Sequence, residues 1–281
     1  MNKYTLLLIL FLISFKLLGA TFTVSGKVVD EHRQAISNIK VSIANHSVIT
    51  DDDGRYSVQV PQAELYVLNI SGDGFYTSLQ THSHFELTQS PASELRISDI
   101  ELVQKIKGRT LLAFGGDVMM GRRYAKPYFD NKILINRGHE LRDTKHLVQY
   151  VKPYMELADL AAVNLETQIA DSVPDQRAPK SVTFFSPPET LDALVWAGID
   201  YVTLGNNHTF DYLDSGLKSS LAYLKQSKLG YSGAGFNQQQ ALAPYQVSLN
   251  GNDFSMLGYV GWEGNFSPNQ TASKDKGGAA H

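Results

Sequence analysis

The sequence has no cysteine, only two tryptophans and no excess of either charge sign. Without cysteine there is no disulfide framework, no thiolate metal site, no cysteine nucleophile and no lipidated N-terminal cysteine. Lys+Arg at 25 against Asp+Glu at 28 leaves a formal charge of -3. That balance supplies no global field to hold nucleic acid, so any anionic ligand must be gripped locally. Long apolar runs are also missing, apart from Leu6 to Phe15, which follows Lys3 and precedes Lys16 and the small pair Gly19-Ala20. That run is about half of the roughly 20 apolar residues a membrane-spanning helix needs. The order reads as a secretory signal peptide over residues 1–20, with an uncleaved anchor as the alternative because Leu18 stands where a small residue is expected. The expected location is the periplasm or cell envelope.

Beyond Ala20 the chain is patterned. Phe22, Val24 and Val28, then Ile39, Val41 and Ile43, then Tyr56, Val58 and Val60, then Tyr66, Leu68 and Ile70 alternate with polar neighbours. Period two predicts half-buried strands, with a further strand between Leu95 and Leu102 and no helix among them. Asp53-Gly54 and Gly72-Asp73-Gly74 supply the turns. An all-β sandwich over residues 21–105 is expected. The Asp51-Asp52-Asp53 run lacks the alternating ligands and distant Glu of a calcium loop and reads as a solvated turn.

Beyond a basic stretch from Lys105 to Arg109, the apolar runs Leu111–Phe114, Leu160–Val163, Tyr201–Leu204, Tyr245–Leu249 and Phe254–Tyr259 take turns with helical segments. Helices are predicted over 145–158, 188–197 and 214–225, which makes residues 110–281 an α/β domain. Polar groups come directly after three of the strands: Gly115-Gly116-Asp117, Asn164-Leu165-Glu166 and Gly205-Asn206-Asn207-His208. In an open α/β sheet the carboxyl ends of strands border one crevice, so these groups should become neighbours. Two carboxylates, an amide oxygen and an imidazole would suit a divalent ion such as Mn, Zn or Fe. Singly, each has a plainer reading: a capping Asp117, a surface Glu166, a core His208, a turn at Asn206-Asn207. The loop 171–188 is long enough to line a site.

Two resemblances add to this. SGKVVDEHRQAISNIKVSI followed by TDDDGRYSVQV resembles the carboxypeptidase regulatory-like domain, which implies a transthyretin-like accessory or attachment module. FGGDVMMGR, ADLAAVNLET, AGIDYVTLGNNHTFDY and GAGFNQQQALAP resemble, in order and spacing, the CapA family of capsule and poly-γ-glutamate synthesis proteins. That resemblance implies an αββα sandwich of the calcineurin-like metallophosphoesterase superfamily with a dinuclear metal centre. Carried over, Asp117, Glu166 and Asn207 would be metal ligands, and His208 a general acid or hydrogen-bond donor toward the leaving oxygen; Asp211, three residues on, either holds the imidazole in one tautomer or is only a helix-entry residue. Arg122 and Arg123 follow the first of these motifs closely enough to contact an anionic substrate, with plain solvation as the alternative. The implied function is metal-dependent hydrolysis of a phosphoester or γ-glutamyl amide. The alternative is a non-catalytic polymer-binding or export scaffold. Expected partners are poly-γ-glutamate or a capsule precursor, and a membrane or envelope synthesis complex. The histidine-bearing motifs that complete the family's metal site further along do not occur, and the stretch after Trp262 shows no strand or helix character. The α/β domain therefore reads as incomplete at its C-terminal side.

Overall fold

The computed structural model describes residues 21–89 and 95–281, so the expected signal peptide lies outside the described residues. Contacts divide the chain into two units, one ending at Lys105 and one beginning at Ile106. Among the described residues no helix is long and apolar enough to cross a membrane.

In the first unit the strands are β1 (Thr21–Asp30), β2 (Lys40–Ile43), β3 (His46–Ile49), β4 (Arg55–Pro61), β5 (Leu65–Ser71), β6 (Ser78–Ser83), β7 (Leu95–Arg96) and β8 (Ile100–Leu102). One sheet is antiparallel in the order β3-β2-β5-β6; in the other, β1 pairs antiparallel with β4 and parallel with both β7 and β8. Alternation decides which side faces in. Along β4, Tyr56, Val58 and Val60 are buried while Arg55, Ser57 and Gln59 are exposed. They meet Val41, Leu68 and Ile70 of the other sheet in one apolar cluster. Each such side chain contributes about 1.5–3 kcal/mol when fully buried. One short helix, α1 (His84–Leu87), interrupts the all-strand expectation; its N-terminus is capped by the Ser83 hydroxyl, which accepts from Glu86 N at 3.0 Å.

The second unit is built on a parallel sheet in the order β14-β13-β10-β9, from β9 (Leu112–Val118), β10 (Leu160–Leu165), β13 (Tyr201–Thr203) and β14 (Gly230–Ser232). Short pairs β11 (Gln168–Ile169) with β12 (Phe185–Ser186), and β15 (Ala234–Gly235) with β18 (Gly278–Ala279), lie beside it. The helices are α2 (Glu140–Val148), α3 (Lys152–Met155), α4 (Glu189–Trp196), α5 (Leu213–Gln226) and α6 (Gln238–Ala241). The helix predicted over 145–158 is thus two. Pro153 in the first turn of α3 has no N–H to continue the bonding of α2, so a new helix starts there.

Both faces of the parallel sheet are covered. Ala161, Val163, Leu165, Val202 and Leu204 pack with Leu191 and Leu194 of α4 and Leu217, Leu221 and Leu224 of α5. On the opposite face Leu160, Ala162 and Tyr201 pack with Tyr245, Val247 and Met256. Those last residues belong to an antiparallel hairpin, β16 (Tyr245–Leu249) and β17 (Asn252–Met256), and not to further strands of the parallel sheet. Asn250 and Gly251, both at positive φ, make its two-residue turn.

The stretch after Trp262, expected to lack structure, is packed. Gln270 and Ala279 are fully buried, β18 pairs with β15, and Ala280 N donates to Gly233 O at 2.9 Å. This segment also supports the turn after β13: Gln270 Oε1 accepts from Phe210 N at 2.7 Å, and Lys276 Nζ sits 4.4 Å from the centre of the Phe210 ring. Partial burial pushes the Lys276 ammonium below its usual pKa range.

Candidate active site

Parallel order puts the carboxyl ends of β9, β10 and β13 side by side, and a bulge adjusts the first of them. Ala162 faces Phe114, but Asn164 faces Asp117, so β9 spends one extra residue at Gly115-Gly116. A Cβ on Gly115 would come within 2.9 Å of Val163 Cγ1, which is why the bulge needs a glycine there. The extra residue brings Asp117 opposite Asn164, whose Nδ2 donates to Asp117 Oδ1 at 2.7 Å. The amide chain continues: Asn206 Nδ2 donates to Asn164 Oδ1 at 2.9 Å and to Leu165 O at 3.0 Å. Asn206 Oδ1 then accepts from His208 N at 2.9 Å, which fixes the turn carrying the imidazole. Gly205 lets that turn start, since a Cβ would strike the backbone of Gly258 and Tyr259 at 2.3–2.4 Å.

His208 lies between two carboxylates. Its Nδ1 is 2.7 Å from Asp211 Oδ2 and its Nε2 is 3.7 Å from Glu166 Oε1. Phe184 stacks on the ring at 4.0 Å between centroids. Asp211 is fully buried: Oδ1 forms an ion pair with Lys180 Nζ at 2.5 Å without hydrogen-bond geometry, and Oδ2 accepts from Phe184 N at 2.5 Å. Lys180 Nζ also stands 3.2 Å from His208 Nδ1, so that nitrogen either donates its proton to Asp211 Oδ2 or, unprotonated, accepts from the Lys180 ammonium. With the proton on Nδ1, Nε2 on the Glu166 side is the nitrogen free to accept one. Lys180 further donates to Asn207 O at 2.7 Å, tying the loop 171–184 to the turn. Burial pushes the Glu166 carboxyl above its usual range; Asp117 adds to the push, while His208 and Lys180 oppose it.

The structure therefore brings together Glu166, His208 and Asp211, with Asp117 joined through Asn164. Asn207 takes part through its backbone carbonyl, and the amide that links the strands belongs to its neighbour Asn206. Arg122 reaches toward this group, its guanidinium lying 5.6 Å from the centre of the Phe184 ring while its Nε donates to Tyr128 Oη at 2.6 Å. Arg123 turns elsewhere, onto the ring of Tyr124 at 5.3 Å. Beside the site opens a cleft of about 730 Å³, whose lining includes Arg122, Lys126, Arg137, Arg177 and Tyr212, with Glu140 and Asp171 as its acids. Sequence reasoning missed Lys180 and Phe184, which lie in the irregular loop 171–184; Asn164 and Asn206 sat inside the segments singled out, but their linking role was not legible.

The donor set does not fit the dinuclear metal centre implied by the family resemblance. Among the described residues no group of three or more His, Asp, Glu or Cys side chains is placed to hold a metal ion. Asp117 Oδ1 is engaged by Asn164 and His208 Nδ1 by Asp211, leaving two carboxylates where two ions would require several more charged ligands.

A profile of the family described as "Bacterial capsule synthesis protein PGA_cap" matches residues 111–281, and one of the "Carboxypeptidase regulatory-like domain" matches residues 23–99. "Capsule biosynthesis protein CapA" of Bacillus anthracis is 30% identical over 147 residues, covering 52% of this chain and 33% of that protein. "PGA biosynthesis protein CapA" of Bacillus subtilis (strain 168) is 26% identical over 149 residues, covering 53% and 36%. The chain thus spans about a third of the length of these relatives. A solved cohesin–X-dockerin complex from Acetivibrio cellulolyticus is similar at 18% identity over 34% of this chain and 74% of that one, with a TM-score of 0.26.

Proposed function

The chain belongs to the bacterial capsule synthesis protein family, and from that premise we propose that it acts in the cell envelope on an anionic capsule polymer such as poly-γ-glutamate or its precursor. In this reading residues 1–20 direct export, residues 21–105 are an attachment module, and residues 106–281 carry a hydrolytic site centred on His208. The observation that carries the reading is the His208–Asp211 pair, 2.7 Å apart, with Nε2 directed toward Glu166. With Nδ1–H held by Asp211 and the ring fixed, Nε2 can take a proton from an attacking water and hand it to the oxygen or nitrogen leaving a cleaved phosphoester or γ-glutamyl amide. Arg122, Lys126, Arg137 and Arg177 give the adjoining cleft the positive charge that holds carboxylates or phosphates.

The test is turnover of γ-glutamyl peptides and model phosphodiesters by the full chain, with and without added manganese or zinc. His208→Ala should lower the rate about a hundredfold or more. An unchanged rate would remove His208 from the chemistry. A second reading, a polymer-binding scaffold without turnover, is favoured by the donor set, which does not close around a metal. It expects binding of poly-γ-glutamate to survive His208→Ala and to weaken when Arg137 and Arg177 are replaced by Ala.

A further inference from the structure

One surface feature of the second unit takes no part in proton transfer at His208. Tyr124 O accepts from Leu134 N at 2.8 Å and from Ile135 N at 2.9 Å, so residues 124–135 form a loop closed at its base. The base is anchored, because Ile135 is buried in the main cluster and Tyr124 packs against it. Asp143 adds a second clamp, accepting from Asn136 N at 2.8 Å and Asn136 Nδ2 at 2.9 Å. Within the loop Asn131 Nδ2 donates to Tyr128 O at 2.8 Å. The apolar side chains of this braced loop nevertheless point to water: Phe129 is 96% exposed, Ile133 51%, Tyr128 49% and Leu134 43%. Phe129 also takes a positive φ of 56°, a conformation that a bulky side chain rarely adopts.

Charge accompanies this patch. Between Arg122 and Arg137 the sequence has five cations, Arg122, Arg123, Lys126, Lys132 and Arg137, and a single acid, Asp130, in a chain whose net charge is -3. An exposed aromatic and aliphatic tip within a segment rich in lysine and arginine matches the boundary of an anionic bilayer. Aromatic rings settle at headgroup depth, and each nearby cation gains from the negative surface potential. The geometry points to the loop 124–135 as a membrane-docking element that inserts Phe129 and Ile133 into the interface of an anionic lipid surface. It would hold the adjoining cleft next to the membrane whether or not the site turns over substrate.

The absence of cysteine makes a position-specific test simple. Ile133→Cys in the full chain, labelled with an environment-sensitive fluorophore, is mixed with vesicles containing phosphatidylglycerol. Phe85→Cys, at an exposed residue of the first unit, serves as the control position. The expected result is a blue shift and intensity gain at position 133 alone, abolished in pure phosphatidylcholine and by about 0.5 M salt. Adding Phe129→Ser should weaken the partitioning about tenfold, the value of one buried aromatic side chain. Two outcomes overturn the proposal. One is a probe at 133 that stays in water while the chain sediments with the vesicles, which places binding elsewhere. The other is a response to soluble poly-γ-glutamate and not to vesicles, which makes the loop part of a polymer site.

Discussion

The two units bury different things. Among the described residues of the sandwich, Thr50 is the only buried polar residue besides the tyrosines: it donates to Ile36 O and accepts from Ile39 N, Tyr66 Oη meets His84 Nδ1 at 2.9 Å, and Tyr56 Oη is buried without a hydrogen-bond partner. The α/β unit buries Asn206, His208, Thr209 and Asp211 within a single turn, and Gln168 and Gln270 against it. Buried polar groups cost free energy unless each finds a partner, so they are retained mainly where chemistry or specificity needs them. The contrast marks the sandwich as a body held by apolar packing and the turn after β13 as the place where the molecule concentrates its polarity.

The largest effect that would sharpen this contrast is expected from Asp211→Ala. It strands the Lys180 ammonium, whose side chain is 10% exposed, and leaves Phe184 N and His208 Nδ1 without their acceptor. Breaking such a buried pair costs about 3–5 kcal/mol. Both tryptophans, Trp196 and Trp262, lie in the α/β unit, so urea unfolding followed by their fluorescence should show the loss directly. Next comes Leu68→Ala in the sandwich, a fully buried leucine whose truncation costs about 2–5 kcal/mol. Far-UV circular dichroism should report that change while the tryptophan transition stays in place. A tryptophan transition that shifts with it would break the comparison and make the two units one cooperative body.

The smallest effect is expected from Glu166→Gln. A carboxyl whose native pKa lies above its unfolded value takes up a proton on folding. Its contribution is therefore most favourable below the ordinary carboxylate range and is lost as pH rises through the raised value. The glutamine variant should melt at a higher temperature than the parent at neutral pH and at the same temperature in acid. A lower melting temperature at neutral pH would mean that attraction to His208 outweighs burial.

Much of this was legible where the pattern is local. Val41, Val58 and Leu68 alternate with polar neighbours, and a strand with one dry face needs nothing more to be recognised. Asn250-Gly251 between two apolar runs was also a hairpin signal, although the run Tyr245–Leu249 was counted with the strands of the α/β alternation. The divided helix at Pro153 carried its own marker. The partners of His208 were another matter. Lys180 stands 28 residues before it and Phe184 lies in the same irregular loop, and no periodicity states which residue of such a loop folds back. The bulge at Gly115-Gly116 was equally hidden, since it exists only in the pairing of two strands 47 residues apart at Asp117 and Asn164.

The contact between Gln270 and Phe210 ties residues 270–280 to the turn that carries the imidazole. Gln270 Oε1 accepts from the backbone N–H of Phe210, two residues from His208, and Lys276 Nζ stands over the phenyl ring of Phe210. Removing the Gln270 side-chain oxygen would leave the buried Phe210 N–H without its acceptor, so the turn that carries the imidazole depends for its stability on a residue 60 positions further along.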